Sequence, residues 1–204
     1  MNEKFYKLSA EKQRRIINAA YKAFSQNAYK KAPMSEIADE GGISKALLFH
    51  YFTNKKELYM YLWNNAIKMT SAVSKKYRVT DTDDFFEMLK RSLFAKCSLM
   101  RDYPYIYAFC LNAYYEQYPE IKAAIQENFL SESKTSEDIV FEKIDISAFR
   151  TDINLKTMYA EIIYAVNGYM LSKYRSGGIV ADQIEQEMVA LINLWKTVYT
   201  KKEI

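Results

Sequence analysis

Apolar residues recur at helical spacing along most of this chain. Between Ser9 and Asn27, Ile16, Ala20 and Phe24 fall four apart, with Ile17 and Tyr21 beside them. That pattern predicts one apolar stripe on a helix of about five turns. Ser9 suits the cap, Glu11 the first turn, and Lys12, Arg15 and Lys22 the opposite face. Residues 1–8 read as a basic, partly ordered arm. A short second helix starts at Pro33 or Ser35, turns Ile37 and Ala38 inward, and stops at Gly41-Gly42. Ser44 then caps a third helix that runs to about Phe52. Leu48 and Phe52, at i and i+4, form its buried pair. Ala46 and His50 fall on its far face, Leu47 and Phe49 on the flanks, and Tyr51 nearer the core.

A polar break follows, and Asn54 with Glu57 three positions on marks the next start. Leu58, Tyr61, Leu62 and Trp63 give this fourth helix an apolar face, and the pattern carries to about Tyr77. Asp81, Asp83 and Asp84 open a fifth helix with Phe85, Phe86, Leu89, Leu93 and Phe94 inward. Pro104 opens the aromatic stretch YIYAFCLNAYYEQY. Pro119 opens a helix through Ile121, Ala124, Ile125 and Phe129, which continues, with a break near 131–136, to Ile144. Asp145–Asp152 reads as a polar loop. Two long helices close the chain, about Asn154 to Tyr174, ending before Gly177-Gly178, and about Ala181 to Tyr199. The expected fold is all-α, with about nine helices: a three-helix helix-turn-helix domain over residues 1–56 and a helical body over 57–204.

Composition supports this reading. Five Gly and three Pro in 204 residues are too few punctuators for a turn-rich β fold. Charge is unevenly placed within a net +4. Residues 1–56 carry 11 Lys/Arg against 5 Asp/Glu, whereas the remainder carries 18 against 20. A basic module on a near-neutral body fits contact with a polyanion, although ordinary surface variation gives the same numbers. Cys97 and Cys110 lie inside apolar patterns and are expected to be reduced, buried thiols. No run of 18 apolar residues predicts a membrane span, and the N-terminus lacks the apolar core of a secretion signal, so a cytoplasmic protein is expected. A single His, no phosphate-binding glycine loop and no Cys/His zinc spacing argue against an enzyme and against a metal site or cofactor.

The stretch EIADEGGISKALLFHYFTNKKELY, residues 36–59, resembles the signature of the TetR family of transcriptional regulators. The amphipathic helix before it and the helical body after it resemble that family in architecture. The resemblance implies that the third helix enters the DNA major groove. Lys45 at its N-terminus would donate to guanine or phosphate, and Ala46, Leu47 and Phe49 would make apolar contacts. His50 and Tyr51 would reach phosphates or a base edge, and Ser44 would reach a phosphate. Lys55, in the first turn of the next helix, would anchor the DNA backbone. Two positions depart from the family pattern. Pro33 stands where Ser or Thr is usual, leaving Ser35 or the backbone to replace that contact, and Ala46 stands where Gly is frequent.

A helix this short reads only a few base pairs, so a homodimer on a palindromic operator in double-stranded DNA is expected. The resemblance places the dimer interface on the last two helices, through Met158, Ile162, Val166, Met188, Leu191, Ile192 and Trp195. The alternative reading of those stripes is packing inside one body. The resemblance also implies a small-molecule effector and, by family custom, repression. Tyr103, Tyr107, Phe109 and Tyr114, with Tyr164, Asn167 and Met170, suit an aromatic or lipophilic ligand, although aromatic stripes are more often core. The competing functional reading is a DNA-binding dimer that recruits a protein partner and senses no small ligand.

Overall fold

A computed structural model of the chain describes residues 3–123, 125, 138–176 and 180–201. The expected positions Ala124, Phe129 and 131–136 and the Gly177-Gly178 stop lie outside these. The described chain is helical, with no strand among the described residues beyond an isolated bridge between Phe149 and Thr200. Its helices are α1 (Glu3–Tyr6), α2 (Ala10–Gln26), α3 (Met34–Gly41), α4 (Lys45–Tyr51), α5 (Lys55–Lys76), α6 (Phe85–Asp102), α7 (Ile106–Tyr114), α8 (Leu155–Arg175) and α9 (Ala181–Tyr199). Residues 119–123 and 138–143 are also helical.

Local chemistry places the boundaries. Ser9 Oγ accepts from Lys12 N, Ser44 Oγ from Leu47 N, and Asn154 Oδ1 from Thr157 N, each satisfying a first-turn amide. At the start of α5, Asn54 Oδ1 accepts from Glu57 N while Glu57 Oε2 accepts from Thr53 N. That is a capping box with its return bond shifted one residue upstream. Met34 follows Pro33, whose side chain offers no capping hydrogen bond.

The chain forms two compact units, and they do not follow chain order. The first comprises Met1–Met69 with Tyr103–Glu132; the second comprises Thr70–Asp102 with Ser133–Ile204. The core of the first unit is aromatic. The Phe109 ring lies 5.0 Å from Tyr59 and 5.2 Å from Tyr21, and Phe24 lies 4.9 Å from Tyr59. Ring pairs in this range add about 0.5–1.5 kcal/mol to ordinary burial. Polar contacts join the same elements: Asn112 donates to the Ser25 carbonyl, and Tyr29 N donates to Glu116 Oε2 at 2.9 Å. Helix α7 is thus built into the packing of α2 and α5.

The segment expected as a basic, partly ordered arm contains a helical turn over Glu3–Tyr6. Phe5 in α1 is fully buried, which contributes about 1.5–3 kcal/mol for a side chain of this type. A buried ring outweighs the fraying tendency of a chain end.

The second unit is organised around α6 and α9. Phe85, Phe86, Met88, Cys97 and Met100 of α6 are buried, as are Ile184, Met188, Ile192 and Trp195 of α9. Leu89, Leu93 and Phe94, expected in the same stripe as Phe85, are only half-buried. Arg101 bridges to Asp182 at 2.7 Å and Glu185 at 2.9 Å. Asp84 accepts from the first-turn amides of Phe86 and Glu87 and receives Lys196 Nζ at 2.8 Å. Cys97 is buried, and burial raises its thiol to about 11, whereas Cys110 is half-exposed.

Two outcomes test this packing. Gly42 has φ +70, and a Cβ there would sit 2.9 Å from Arg15 Cζ. Gly42→Ala is therefore expected to cost about 1–2 kcal/mol, since an L-residue pays that much in the left-handed region. An unchanged urea midpoint would refute the turn assignment. Partial burial opposes ionisation of Asp84, but Lys196 and the backbone amides outweigh it, so its pKa is lowered. Its stabilising contribution is then complete above the unfolded carboxylate pKa of about 4 and is lost as pH falls through the folded value. Asp84→Ala should cost about 1 kcal/mol at pH 7 and less at pH 3. An equal cost at both pH values in denaturant titrations would contradict the ionised cap.

Candidate nucleic-acid interface

The turn between α3 and α4 determines what α4 can present. Gly42 N donates back toward Asp39 O at 3.0 Å, and Ile43 N reaches Ala38 O at 3.0 Å. These bonds close α3 through a left-handed residue. Arg15 of α2 donates from Nε to Glu40 O at 2.9 Å, while Lys22 pairs with the Glu40 carboxylate. The last turn of α3 is therefore tied to α2 on two sides. Gly41 packs with its Cα side against Ile16, leaving only 3.3 Å for an added Cβ. A larger residue there would push α3 off α2.

Helix α4 then has one inward face. Leu48 and the following Phe52 are fully buried. Ser44, Lys45, Ala46 and His50 are exposed, and Leu47 and Phe49 are half-exposed. Six of the seven residues predicted on this helix and its cap thus hold surface area. Tyr51 is the departure: it is only 6% exposed, with its ring 5.7 Å from Phe5. Its area is used in packing, so a reading role for that ring is not supported by its position.

Ser35 is exposed in the first turn of α3. Lys55 sits in the first turn of α5, half-buried. Its Nζ donates to the Lys30 carbonyl at 2.8 Å and lies 5.6 Å from the Tyr29 ring centre. Burial lowers its pKa. The amine is already held by the backbone of a short 3₁₀ segment over Tyr29–Lys31. Lys30 itself lies over the Tyr118 ring, which stacks on Tyr29 at 5.2 Å. Sequence reasoning did not find this aromatic–lysine group, because its members are separated by some ninety residues and share no periodicity.

The remaining predicted residues divide between the units. Tyr103, Tyr107, Phe109 and Tyr114 belong to the first; Tyr164, Asn167 and Met170 belong to the second. Phe109 and Met170 are buried, and Tyr164 is 75% exposed. Burial holds the Tyr107 phenol well above its usual range. In the second unit an open depression of about 430 Å³ is lined by Gly168, Leu171, Ser172, Arg175 and Ser176, none of them predicted ligand contacts. Of the seven residues predicted at the dimer interface, Met158, Ile162, Met188, Ile192 and Trp195 are buried within a single chain. Val166 and Leu191 keep partial exposure. The most exposed large apolar residues of α9 are Leu194 (56% exposed) and Val198 (42%). One edge of the α9 apolar stripe packs on α6.

No described helix is long and apolar enough to cross a membrane. Among the described residues no group of His, Cys, Asp and Glu is placed to hold a metal.

Residues 16–62 match the family described as bacterial regulatory proteins, tetR family. The HTH-type transcriptional regulator RutR of Escherichia coli strain K12 is 30% identical over 95 residues, covering 46% of this chain and 43% of RutR. The HTH-type transcriptional activator FasR of Mycolicibacterium smegmatis is 35% identical over 71 residues, 34% of this chain and 32% of FasR. The matches thus span less than half the length of either relative. Fold similarity extends further. A TetR family transcriptional regulator from Chloroflexus aurantiacus superposes with a TM-score of 0.65 at 22% identity, over 98% of this chain and 99% of that one. The ketosteroid transcriptional regulator KstR2 of Mycobacterium tuberculosis gives 0.62 at 18% identity, over 96% and 97%. The helix-turn-helix segment is thus similar in sequence to the tetR family of bacterial regulatory proteins, and the chain as a whole is similar in fold to solved TetR family regulators.

Proposed function

We propose that this protein is a DNA-binding transcriptional regulator that reads a palindromic operator as a homodimer and acts as a ligand-responsive repressor. One observation carries the DNA-binding part: a two-turn helix, capped by Ser44 and pinned inward by Leu48 and Phe52, exposes Lys45, Ala46 and His50 together. An α-helix fits the major groove, and a lysine at its N-terminus can donate to guanine O6/N7. Ala46 offers a methyl to a thymine methyl, while Leu47 and Phe49 add apolar contact. Ser44 and Ser35 supply hydroxyls for phosphates. Lys55 contributes positive charge beside the α5 N-terminus, where free amides favour an anion. Such a protein works where the chromosome is, in the cytoplasm of a bacterium.

Dimerisation follows from the small size of one reading head. It is supported by apolar residues on α9: half-exposed Leu191 and exposed Leu194 and Val198 recur at three and four, on one helical face. These replace the buried members of the stripe as the contact surface. Ligand response would act by population shift, with the effector favouring the arrangement of heads that does not fit the operator. One observation favours the competing reading, in which the dimer recruits a protein and senses no ligand. Phe109 and Met170, two of the residues that would wall a pocket, are fully committed to core packing.

Two measurements test the DNA and dimer readings. For duplexes recovered from a random pool by the wild-type protein, Lys45→Ala should lower preference for the recovered sequence, each lost base contact being worth about 1–3 kcal/mol. Lys55→Ala should weaken binding to all duplexes alike and reduce the salt slope by about 1. Indistinguishable losses for the two variants would contradict that division. Leu194→Glu with Val198→Glu should shift the protein from dimer to monomer in sedimentation at micromolar concentration. A wild type that is already monomeric there would remove the dimer model.

A further inference from the structure

The helix that carries the reading residues is too short to hold itself in place. Isolated helices below about 12–15 residues are marginal in water, and α4 has 7. Its orientation must come from what touches its inward face. Three residues make that face: Leu48, Tyr51 and the terminal Phe52, all buried. Two of the three meet the same partner. The Phe5 ring lies 5.0 Å from Phe52 and 5.7 Å from Tyr51, and it also lies 5.8 Å from Tyr61 of α5.

Phe5 is itself fixed from α2. Leu8 N donates to the Phe5 carbonyl at 3.2 Å. The Gln13 amide donates to the Leu8 carbonyl at 2.8 Å and to the Tyr6 carbonyl at 3.3 Å. The N-terminal turn is therefore strapped to α2 by one side chain and inserts one ring between the end of α4 and α5. At the other end of α4 the constraint is the Gly42 turn. At the far end Phe52 also meets Tyr61 directly at 5.3 Å, and Phe5 is the ring shared by Tyr51, Phe52 and Tyr61, so its removal would leave that end of α4 with fewer restraints than the turn end.

We propose that Phe5 is a positioning residue for sequence reading: it sets the angle at which α4 presents Lys45, Ala46 and His50, without touching DNA. This rests on the DNA-binding reading above. Hydrogen bonds to base edges tolerate only a few tenths of an ångström, whereas phosphate attraction acts over several ångströms. Loss of the ring should therefore damage discrimination and spare non-specific binding. The tyrosine beside it, Tyr6, is 57% exposed and provides a neighbouring control.

The test uses the full-length protein, a duplex selected from a random pool by the wild type, and a scrambled duplex of equal length. Phe5→Ala should lower affinity for the selected duplex by about tenfold or more, the loss expected when one base contact is misplaced. It should leave scrambled-duplex affinity within about twofold and the salt slope unchanged. Phe5→Leu should recover most of the loss, and Tyr6→Ala should behave as wild type. Amide exchange should quicken over residues 45–52 and not over α2. Equal losses on both duplexes, or exchange rising throughout the first unit, would mean that Phe5 only stabilises the fold and would overturn the proposal. If the wild type selects no sequence, the DNA-binding reading fails. The exchange measurement still decides the packing claim, because unchanged rates over residues 45–52 overturn it independently.

Discussion

The left-handed turn at Gly42 is the constraint on which the reading head depends. Helix α3 must stop and the chain must reverse before α4 can begin, and only three residues do it. Glycine supplies φ +70 without a Cβ penalty, and the amides of Gly42 and Ile43 return to carbonyls of α3. Arg15 and Lys22 hold the same corner to α2 through Glu40. With the corner set, the 100° step per residue decides the rest: Leu48 and Phe52 go inward, and Lys45, Ala46 and His50 go outward.

A second consequence concerns where the head ends. Helix α7 lies about fifty residues beyond the helix-turn-helix in sequence, yet it belongs to the same compact unit. Its Phe109 occupies the centre of an aromatic core with Tyr21, Phe24 and Tyr59, and Asn112 and Glu116 bond to backbone at Ser25 and Tyr29. These contacts are with the helix that holds the α3 corner and with the turn that carries Lys30. Helix α7 thus packs against groups placed beside the proposed DNA contacts. These contacts are ring packing and hydrogen bonds within one packed unit.

Much of this could be read from the residues, where the information was local. Ser9, Ser44 and Asn54 cap the helices their positions predict, because a cap is a three-residue interaction. The Gly41-Gly42 stop and the Leu48–Phe52 pair follow from conformation and periodicity alone. What could not be read depends on pairings distant in the chain. Phe5 looks like part of a basic arm until Tyr51, Phe52 and Tyr61 surround it. Met158, Ile162 and Trp195 carry the apolar spacing of an interface, yet periodicity does not say whether a face meets its own unit or a second copy. Tyr51 shows the same ambiguity on a smaller scale, since an amphipathic ring at the edge of a face can turn either way.

The central claim is that α4 enters the major groove of a specific duplex. Methylation interference on a duplex selected by the wild-type protein tests it directly, because guanine N7 lies in the major groove and adenine N3 in the minor. The account predicts interference at N7 in two clusters about one helical turn or a multiple apart, as a two-headed reader requires. Interference confined to adenine N3, or a selected duplex indifferent to N7 methylation throughout, would contradict it.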